Sequence, residues 1–482
     1  MVGGQPTQTF LGRTPATLRE RACYHPLVGF GSTYALPTSK ARLVLADFNH
    51  RWSHPTWGRL LSVFVCVAST LFFIAHMQRK GTLDQPPESG GDAPDYDLIA
   101  WGLTSGHGFH RDSQAAEFLA PYQQAGRASP AVPVSGPVTD RPPLYPLILA
   151  ATYESGRQFR VIRICQALCL GLVIGAITWQ VFELAGVIPA LLCPALMLIV
   201  DPRLRTMANE ILTEAWACGL VTLLFLQLMK WDRKRRWIDA VLTGVVLGIL
   251  VMCRTMMVMW LPLLAIGMWW QTERPDRWRT VRHTALLSTV AIAVCLPWWI
   301  HNVQVLGEFR PLGTQGAEQL SAAYSDEAFA RRGMWFNLDE TEFFRGIDQP
   351  DPVRRTLARA LLSEQSARTW VGQHPLQAAS LWPARVFQEF RPHGPGDLFV
   401  LAFALLGLAI LWQTPPGRAS RWLIAGQVLA IAATWSVAGR FVFPLLGILH
   451  LLATIGLWGA YVALVERREM SRLWILRNDP VS

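Results

Sequence analysis

The sequence predicts an all-α polytopic membrane protein of about ten transmembrane helices. Membrane-parallel helices are expected in a first external loop, and a mostly helical external segment later in the chain. Three observations carry this. Of the 482 residues, 51% are hydrophobic and only 16% charged. Apolar runs long enough to cross a hydrocarbon core, roughly 20 residues each, recur along the chain. The basic residues concentrate in short loops beside those runs, at 230–236, at 274–282 and in Glu466-Arg467-Arg468, where Lys and Arg mark the cytoplasmic side. The formal charge of +10 is therefore read as a topology signal, and its placement argues against a nucleic-acid partner. The lipid bilayer is the partner that composition requires.

Residues 1–56 are Gly- and Pro-bearing, without a signal-peptide layout, and are expected as a poorly ordered cytoplasmic tail. The transmembrane domain is expected over 57–464, with a basic cytoplasmic tail at 465–482. The first span falls at 58–77; Arg79 and Lys80 follow it and argue locally against an external end, but the remaining loops outvote them. Residues 81–142 form the first external loop, with more acids than bases. Within it Tyr96, Ile99, Ala100 and Leu103 share one helical face. Pro94 suits the start of that helix and Ser105-Gly106-His107-Gly108 its end. Asp92 and Asp95 are thus placed at the N-terminus of a short helix along the membrane, and another short helix is expected at 143–153.

Further spans are expected near 161–182, 186–200, 209–229, 238–253, 255–270, 284–300, 397–413, 421–437 and 442–464. With the N-terminus inside, the basic loops all land inside, and 81–142 and 301–396 land outside. Only Cys253-Arg254-Thr255 separates two of the spans, as a tight external turn or as a break in one long helix. Amphipathic patterns near 353–373 and 376–390 predict helices on the external face. Of the eight cysteines none lies in the two long polar loops, which excludes a disulfide framework and a cysteine metal site there.

The chemistry concentrates in the first external loop. It opens with Gly91-Asp92-Ala93-Pro94-Asp95-Tyr96-Asp97 and closes with Asp140-Arg141-Pro142-Pro143-Leu144-Tyr145-Pro146. Thr213-Glu214 then starts a span, and Arg254 marks an external boundary. Pro297-Trp298-Trp299-Ile300-His301-Asn302 precedes the long external segment, and Arg440-Phe441 begins the last span. This ordered series, over about 57–464, resembles the polyprenyl-phosphate-dependent glycosyltransferases of the GT-C fold. The branch is the one related to protein O-mannosyltransferases and aminoarabinose transferases.

The resemblance implies a bacterial inner-membrane enzyme with its site on the external, periplasmic face. It would move a monosaccharide, with inversion, from a polyprenyl-phosphate-linked donor to an acceptor, whether protein, lipid or glycan. In that family an Asp-Glu pair precedes a Tyr, and its Asp is taken as the base. Asp92 matches the spacing to Tyr96, but Ala93 replaces the Glu, so Asp95 stays open as an alternative base. His301 stands where relatives carry Arg before Asn302. Members of the wider fold use a divalent cation; these residues do not require one, and no His/Cys/carboxylate spacing reads as a zinc site.

Glycosyl transfer needs a carboxylate to accept the acceptor's proton and cations to stabilise the leaving phosphate. Asp92 or Asp95 would supply the first. Arg141, Arg254 and Arg440, with His301, would supply the second, since the guanidinium fork matches phosphate and stays charged. Tyr96, Tyr145, Glu214 and Asn302 are supporting candidates. The competing readings are that Asp92 caps its helix, that each arginine merely reaches the headgroups, and that Glu210 and Glu214, one turn apart, favour a helix N-terminus. Asp97 is expected to be solvated. A lipid-linked-sugar transporter or flippase is the alternative function. It would favour paired repeats and mid-span polar groups over charges gathered at one face.

Overall fold

A computed structural model describes residues 54–130, 135–153, 156–347 and 349–478. The expected N-terminal tail therefore lies outside the described residues, apart from its last three positions.

The chain enters α1 (Pro55–Arg79) and then the first polar segment. That segment holds α2 (Ala93–Thr104), α3 (Ala116–Gln124), α4 (Leu144–Thr152) and a two-stranded antiparallel ribbon. In the ribbon, His110 of β1 (His110–Arg111) faces Pro137 of β2 (Gly136–Pro137). There follow α5 (Phe159–Ala185), α6 (Val187–Ala195, extended by a π turn over Leu196–Val200), α7 (Arg203–Asn209) and α8 (Glu214–Lys234). Next come α9 (Trp237–Cys253), a 3-10 turn (Thr255–Met259) leading into α10 (Trp260–Trp270), and α11 (Arg277–Leu306). The second polar segment carries short helical turns and then α12 (Pro352–Gln373) and α13 (Pro375–Phe390). The chain closes with α14 (Pro395–Ile410), α15 (Pro415–Ala433), a 3-10 turn (Arg440–Leu445) and α16 (Leu446–Asn478).

Each apolar segment read from the sequence falls on a helix. Among the described residues, four are long and apolar enough to cross a membrane, or six if two bent helix pairs each count as one span. One boundary differs. The span expected from 209 begins at Glu214, because Glu210 closes α7 in an extended conformation (ψ 134°). Glu210 and Glu214 are therefore not one turn apart on one helix. At Arg254 the backbone is extended (φ −145°, ψ 107°), which ends α9 and starts a new helical segment. Proline at the first turn opens α1, α2, α12, α13, α14 and α15, where its missing N–H has no intrahelical partner to lose.

The helices run between two ends of opposite character. At one end the basic loops meet: Arg418 Nη2 lies 2.6 Å from Asp232, Arg235 donates to Thr272 (2.7 Å), and Arg279 donates to the Arg235 carbonyl (2.6 Å). At the other end the two polar segments pack on each other. Gly136 lies so close to α12 that a side chain there would stand 2.6 Å from Pro352, and His301 reaches the Val138 carbonyl at 3.2 Å. The two long loops thus share one side. Burial separates inner from outer helices: 83% of the apolar window at the start of α16 is buried, against 22% of that in α1. On α1, Leu60, Phe64, Val67 and Leu71 face outward, as a lipid-facing surface requires. Its inner face meets α5 at Gly171 and Gly175, where small residues let the backbones approach and Ser62 donates to the Gly175 carbonyl at 2.8 Å.

Candidate functional site

Pro94, at the start of α2, fixes the direction in which the helix leaves Gly91, whose φ of +75° suits glycine. Asp92 occupies the N-cap but makes no side-chain capping bond. Its carboxylate instead takes Arg141 Nη2 at 2.9 Å on one oxygen and Arg440 Nη1 at 2.8 Å on the other. Helix capping therefore does not account for Asp92.

From this carboxylate a chain of ion pairs runs both ways. On one side Arg440 also binds Glu214, the first residue of α8, and Glu214 lies 3.5 Å from Arg254 Nη2. On the other, Arg141 Nε donates to Asp95 at 2.7 Å. Asp95 is in turn gripped by Arg111 through Nε (2.6 Å) and Nη2 (3.0 Å), and Arg111 closes on Asp140 with two bonds of 2.9 Å. Arg254, Glu214, Arg440, Asp92, Arg141, Asp95, Arg111 and Asp140 thus alternate in sign from the α9 terminus to the end of the first polar segment. The sequence scatters them over more than 300 positions, and the fold brings them together.

Exposure distinguishes the two aspartates. The Asp92 side chain is 28% exposed and its partner Arg440 27%, whereas Asp95 is 1% exposed. The open part of the chain is thus the Asp92–Arg440 pair. Arg254 is also distinctive: its Nη1 is buried with no hydrogen-bond partner among the described residues, and its guanidinium lies 5.4 Å over the Phe441 ring. A guanidinium with an unspent buried donor is poised for an anion.

The electrostatics follow from the pairs. Burial alone would raise the Asp92 pKa, but Arg141 and Arg440 hold it well below the ordinary carboxylate range. Asp140 is likewise lowered by Arg111 against its own desolvation. Burial pushes the Tyr96 and Tyr145 phenols upward, which keeps both neutral. Tyr96 lies under Arg141 (5.4 Å) and edge-on to Tyr145 (5.1 Å), whose hydroxyl donates to Gln166 at 2.8 Å. These rings support Arg141 from beneath.

Of the residues singled out from sequence, Asp92, Asp95, Arg141, Arg254, Arg440, Glu214, Tyr96 and Tyr145 converge. His301 and Asn302 take other contacts: His301 stacks on Trp298 (4.7 Å), and Asn302 donates to the Pro311 carbonyl (2.9 Å). Asp97 corrects an expectation. It is fully buried, bound by Arg157 and by the hydroxyls of Tyr122 (2.8 Å) and Tyr153 (2.7 Å). Its position two residues past Asp95 turns it to the other face of α2, inward against α3, which periodicity around Tyr96 did not suggest. Sequence reasoning also passed over Arg111 and Gln315. With its amide oriented to suit its neighbours, Gln315 accepts from Arg141 Nη1 at 2.9 Å. Arg111 had one available signal, as a lone cation in the acid-rich stretch before Arg127.

A divalent cation does not fit this set. The carboxylates of Asp92, Asp95, Asp140 and Glu214 are all taken by arginines, and no group of three or more metal-binding side chains occurs among the described residues.

Residues 140–301, well under half of the chain, match the family described as dolichyl-phosphate-mannose-protein mannosyltransferase. That match agrees with the resemblance carried by the ordered motifs. No curated protein sequence matches. Among solved structures, ArnT from Cupriavidus metallidurans bound to undecaprenyl phosphate gives a TM-score of 0.49 at 13% identity, over 82% of this chain and 60% of that one. The archaeal oligosaccharyltransferase AglB from Archaeoglobus fulgidus, in complex with an inhibitory peptide and a dolichol-phosphate, gives 0.46 at 14% identity, over 87% and 52%. The chain therefore spans less than two thirds of these two solved chains.

Proposed function

We propose that this chain is an integral membrane glycosyltransferase of about ten crossings, transferring a monosaccharide from a polyprenyl-phosphate donor to an acceptor with inversion. The site is assigned to the external face, which in a bacterium is the periplasmic side of the inner membrane. The observation that carries this reading is the alternating chain of ion pairs with the Asp92–Arg440 pair open to solvent. It offers a base and a phosphate cradle in direct contact.

Asp92 acts as general base. The acceptor hydroxyl attacks the anomeric carbon, its proton passes to an Asp92 oxygen, and the bond from that carbon to the phosphate oxygen breaks. Polyprenyl phosphate leaves with the electron pair, its charge met by Arg440, Arg254 and Arg141. In the resting arrangement Asp92 is a poor base because two guanidinium groups neutralise it. An incoming phosphate competes for those same groups, and as they turn to it the carboxylate regains basicity. Glu214 holds Arg440 from the far side, so this exchange moves one end of the guanidinium while the other stays anchored. Asp95 is spent on Arg111 and Arg141 and serves to position Arg141. His301 is assigned a neighbouring, supporting place with Asn302.

The test is release of polyprenyl phosphate by the purified full-length protein in lipid nanodiscs supplied with a polyprenyl-phosphate sugar and an acceptor extract. Turnover that survives Asp92→Asn unchanged would overturn Asp92 as base. Donor binding unchanged in both Arg440→Ala and Arg254→Ala would overturn the cradle and return the transporter reading.

A further inference from the structure

The C-terminal half of α1 carries Phe72, His76 and, at its cap, Lys80 at intervals of four, which places them on one helical face. On α7 and just beyond it, Arg205, Asn209 and Glu210 face the same way. Between the two rows lies a cleft of about 390 Å³ lined by these residues. It is graded from apolar to charged. The Phe72 ring, 39% exposed and stacked near-parallel on His76 (centroids 6.4 Å apart), forms one end. The outward Leu71 flanks it on the neighbouring, exposed face of α1. Lys80 stands at the other end.

The charges in this cleft are not balanced as they are in the ion-pair chain. Among the described residues Lys80 and Arg205 make no ion pair. Arg205 Nη1 donates only to the Leu198 carbonyl at 2.8 Å. The carboxylate of Glu210 is met by the Asn209 amide (3.3 Å), whose oxygen accepts from Thr82 at 2.5 Å. Two permanent cations thus face one carboxylate across a cavity that opens beside a lipid-facing helix. Lys80 is exposed and Arg205 half-buried, so both keep donors free to meet a phosphate arriving from the headgroup layer.

We propose that the α1–α7 cleft is a second binding site, for the phosphate-bearing headgroup of a membrane lipid. Lys80 and Arg205 hold the phosphate, and Phe72 with the outer face of α1 receives the first part of a tail. The claim stands on the cleft alone and does not need the glycosyltransferase reading. Under that reading the position is informative, because Glu210 at the cleft rim precedes Glu214 of the ion-pair chain by four residues. A tether of that length spans at most roughly 14 Å, so the cleft rim lies on the same side of the helices as the ion-pair chain, which is the side an acceptor lipid would have to approach.

The experiment is native mass spectrometry of the full-length protein titrated with phosphatidylglycerol, with diacylglycerol, and with phosphatidylglycerol against excess inorganic phosphate. Phosphatidylglycerol is expected to bind and diacylglycerol to bind far more weakly. Lys80→Ala combined with Arg205→Gln, which keeps a donor for Leu198, should weaken one phosphatidylglycerol by roughly tenfold or more, the scale of a lost charge-assisted bond. Arg254→Ala should leave that lipid in place, which separates this site from the donor cradle. Equal affinity in the double variant, or equal affinity for diacylglycerol, would overturn the site. Displacement by inorganic phosphate would overturn the lipid and assign the cleft to the free anion. Phe72→Ala checks the tail: it should weaken phosphatidylglycerol without changing competition by phosphate.

Discussion

Asp92 and Arg440, separated by 348 positions in the chain, meet in a 2.8 Å ion pair that is the open segment of a longer alternating network. One residue begins the helix after the first span and the other begins the last. The pair therefore forms only when the helical core is assembled, and a partly folded chain presents no site. The same contact ties the accessible carboxylate to a cation that anchors elsewhere, on Glu214.

The two aspartates should separate cleanly under amide substitution. Asp92→Asn removes a proton acceptor at the open end of the network, and kcat should fall by roughly 10²–10⁴-fold, the usual worth of a general base. Its thermal stability should fall less than that of the Asp95 variant, since the Asp92 side chain is partly exposed although two arginines pair with it. Asp95→Asn takes from the buried Arg111 one of its two carboxylates and leaves it only Asp140, a loss of up to about 3–5 kcal/mol, the cost of breaking a buried pair. The denaturation midpoint should drop while the residual folded protein keeps a near-normal pH–rate profile. Comparing kcat with thermal unfolding for both variants is the check. The reverse pattern would make Asp95 the base.

Arg440→Lys keeps the charge but loses the fork that binds Glu214 and Asp92 together. A single ammonium cannot stay anchored on one carboxylate and turn to a phosphate. The expected outcome is a fall of roughly 10²-fold in kcat/KM, with kcat falling alongside, as for a contact made in the transition state. A rise in KM alone, with kcat intact, would assign Arg440 to ground-state binding instead.

Much of this arrangement was legible beforehand because membrane constraint writes itself into hydropathy. The segments at 161–182, 238–253 and 397–413 each fall on a helix within a few residues, and the basic loops do gather at one end. The convergence of Arg141, Arg254 and Arg440 was readable from their shared depth at span ends. Which of Asp92 and Asp95 stays open and which is buried was not. It depends on Arg111 and on the turn made by the β1–β2 ribbon, a contact 16 positions away that leaves no periodic trace. Asp97 was misread for the same reason: its partners Arg157 and Tyr153 lie 60 and 56 positions away. The opening of α8 at Glu214 instead of 209 followed from an extended residue that composition does not mark.

The contact between α14 and α16 offers a test of the fold itself. A methyl group built on Gly407 would collide with the Leu452 carbonyl, and one on Gly456 with the Phe403 carbonyl. Both obstacles are backbone, so neither can yield by a rotamer change. Gly407→Ala and Gly456→Ala should each destabilise by about 1–3 kcal/mol, the cost of overpacking. Gly372 on α12 is the control, having nothing within 4 Å of such a methyl. There alanine should be neutral, or stabilising by up to about 1 kcal/mol through helix propensity. Thermal unfolding of the three variants decides. Equal behaviour at all three positions would contradict the close crossing.

Glu318 gives the second polar segment a pH dependence of definite sign. It is only 15% exposed, and Arg359 lies 3.3 Å away. Burial, followed by the nearby Asp140, pushes its pKa from 4.5 up to about 7 despite that arginine. A carboxyl whose folded pKa is raised binds its proton more tightly in the folded state. Its stabilising contribution is therefore complete below the unfolded value of 4.5 and is lost as pH rises through about 7. Wild-type protein should then unfold at a lower temperature at pH 8 than at pH 5, by an amount on the order of a few kcal/mol in free energy. Glu318→Gln cannot ionise, so it should match wild type near pH 5 and exceed it at pH 8. Unfolding curves for both proteins across that window carry the test. A Gln variant that is the less stable one at pH 8 would mean that the Arg359 ion pair outweighs the burial of the charge.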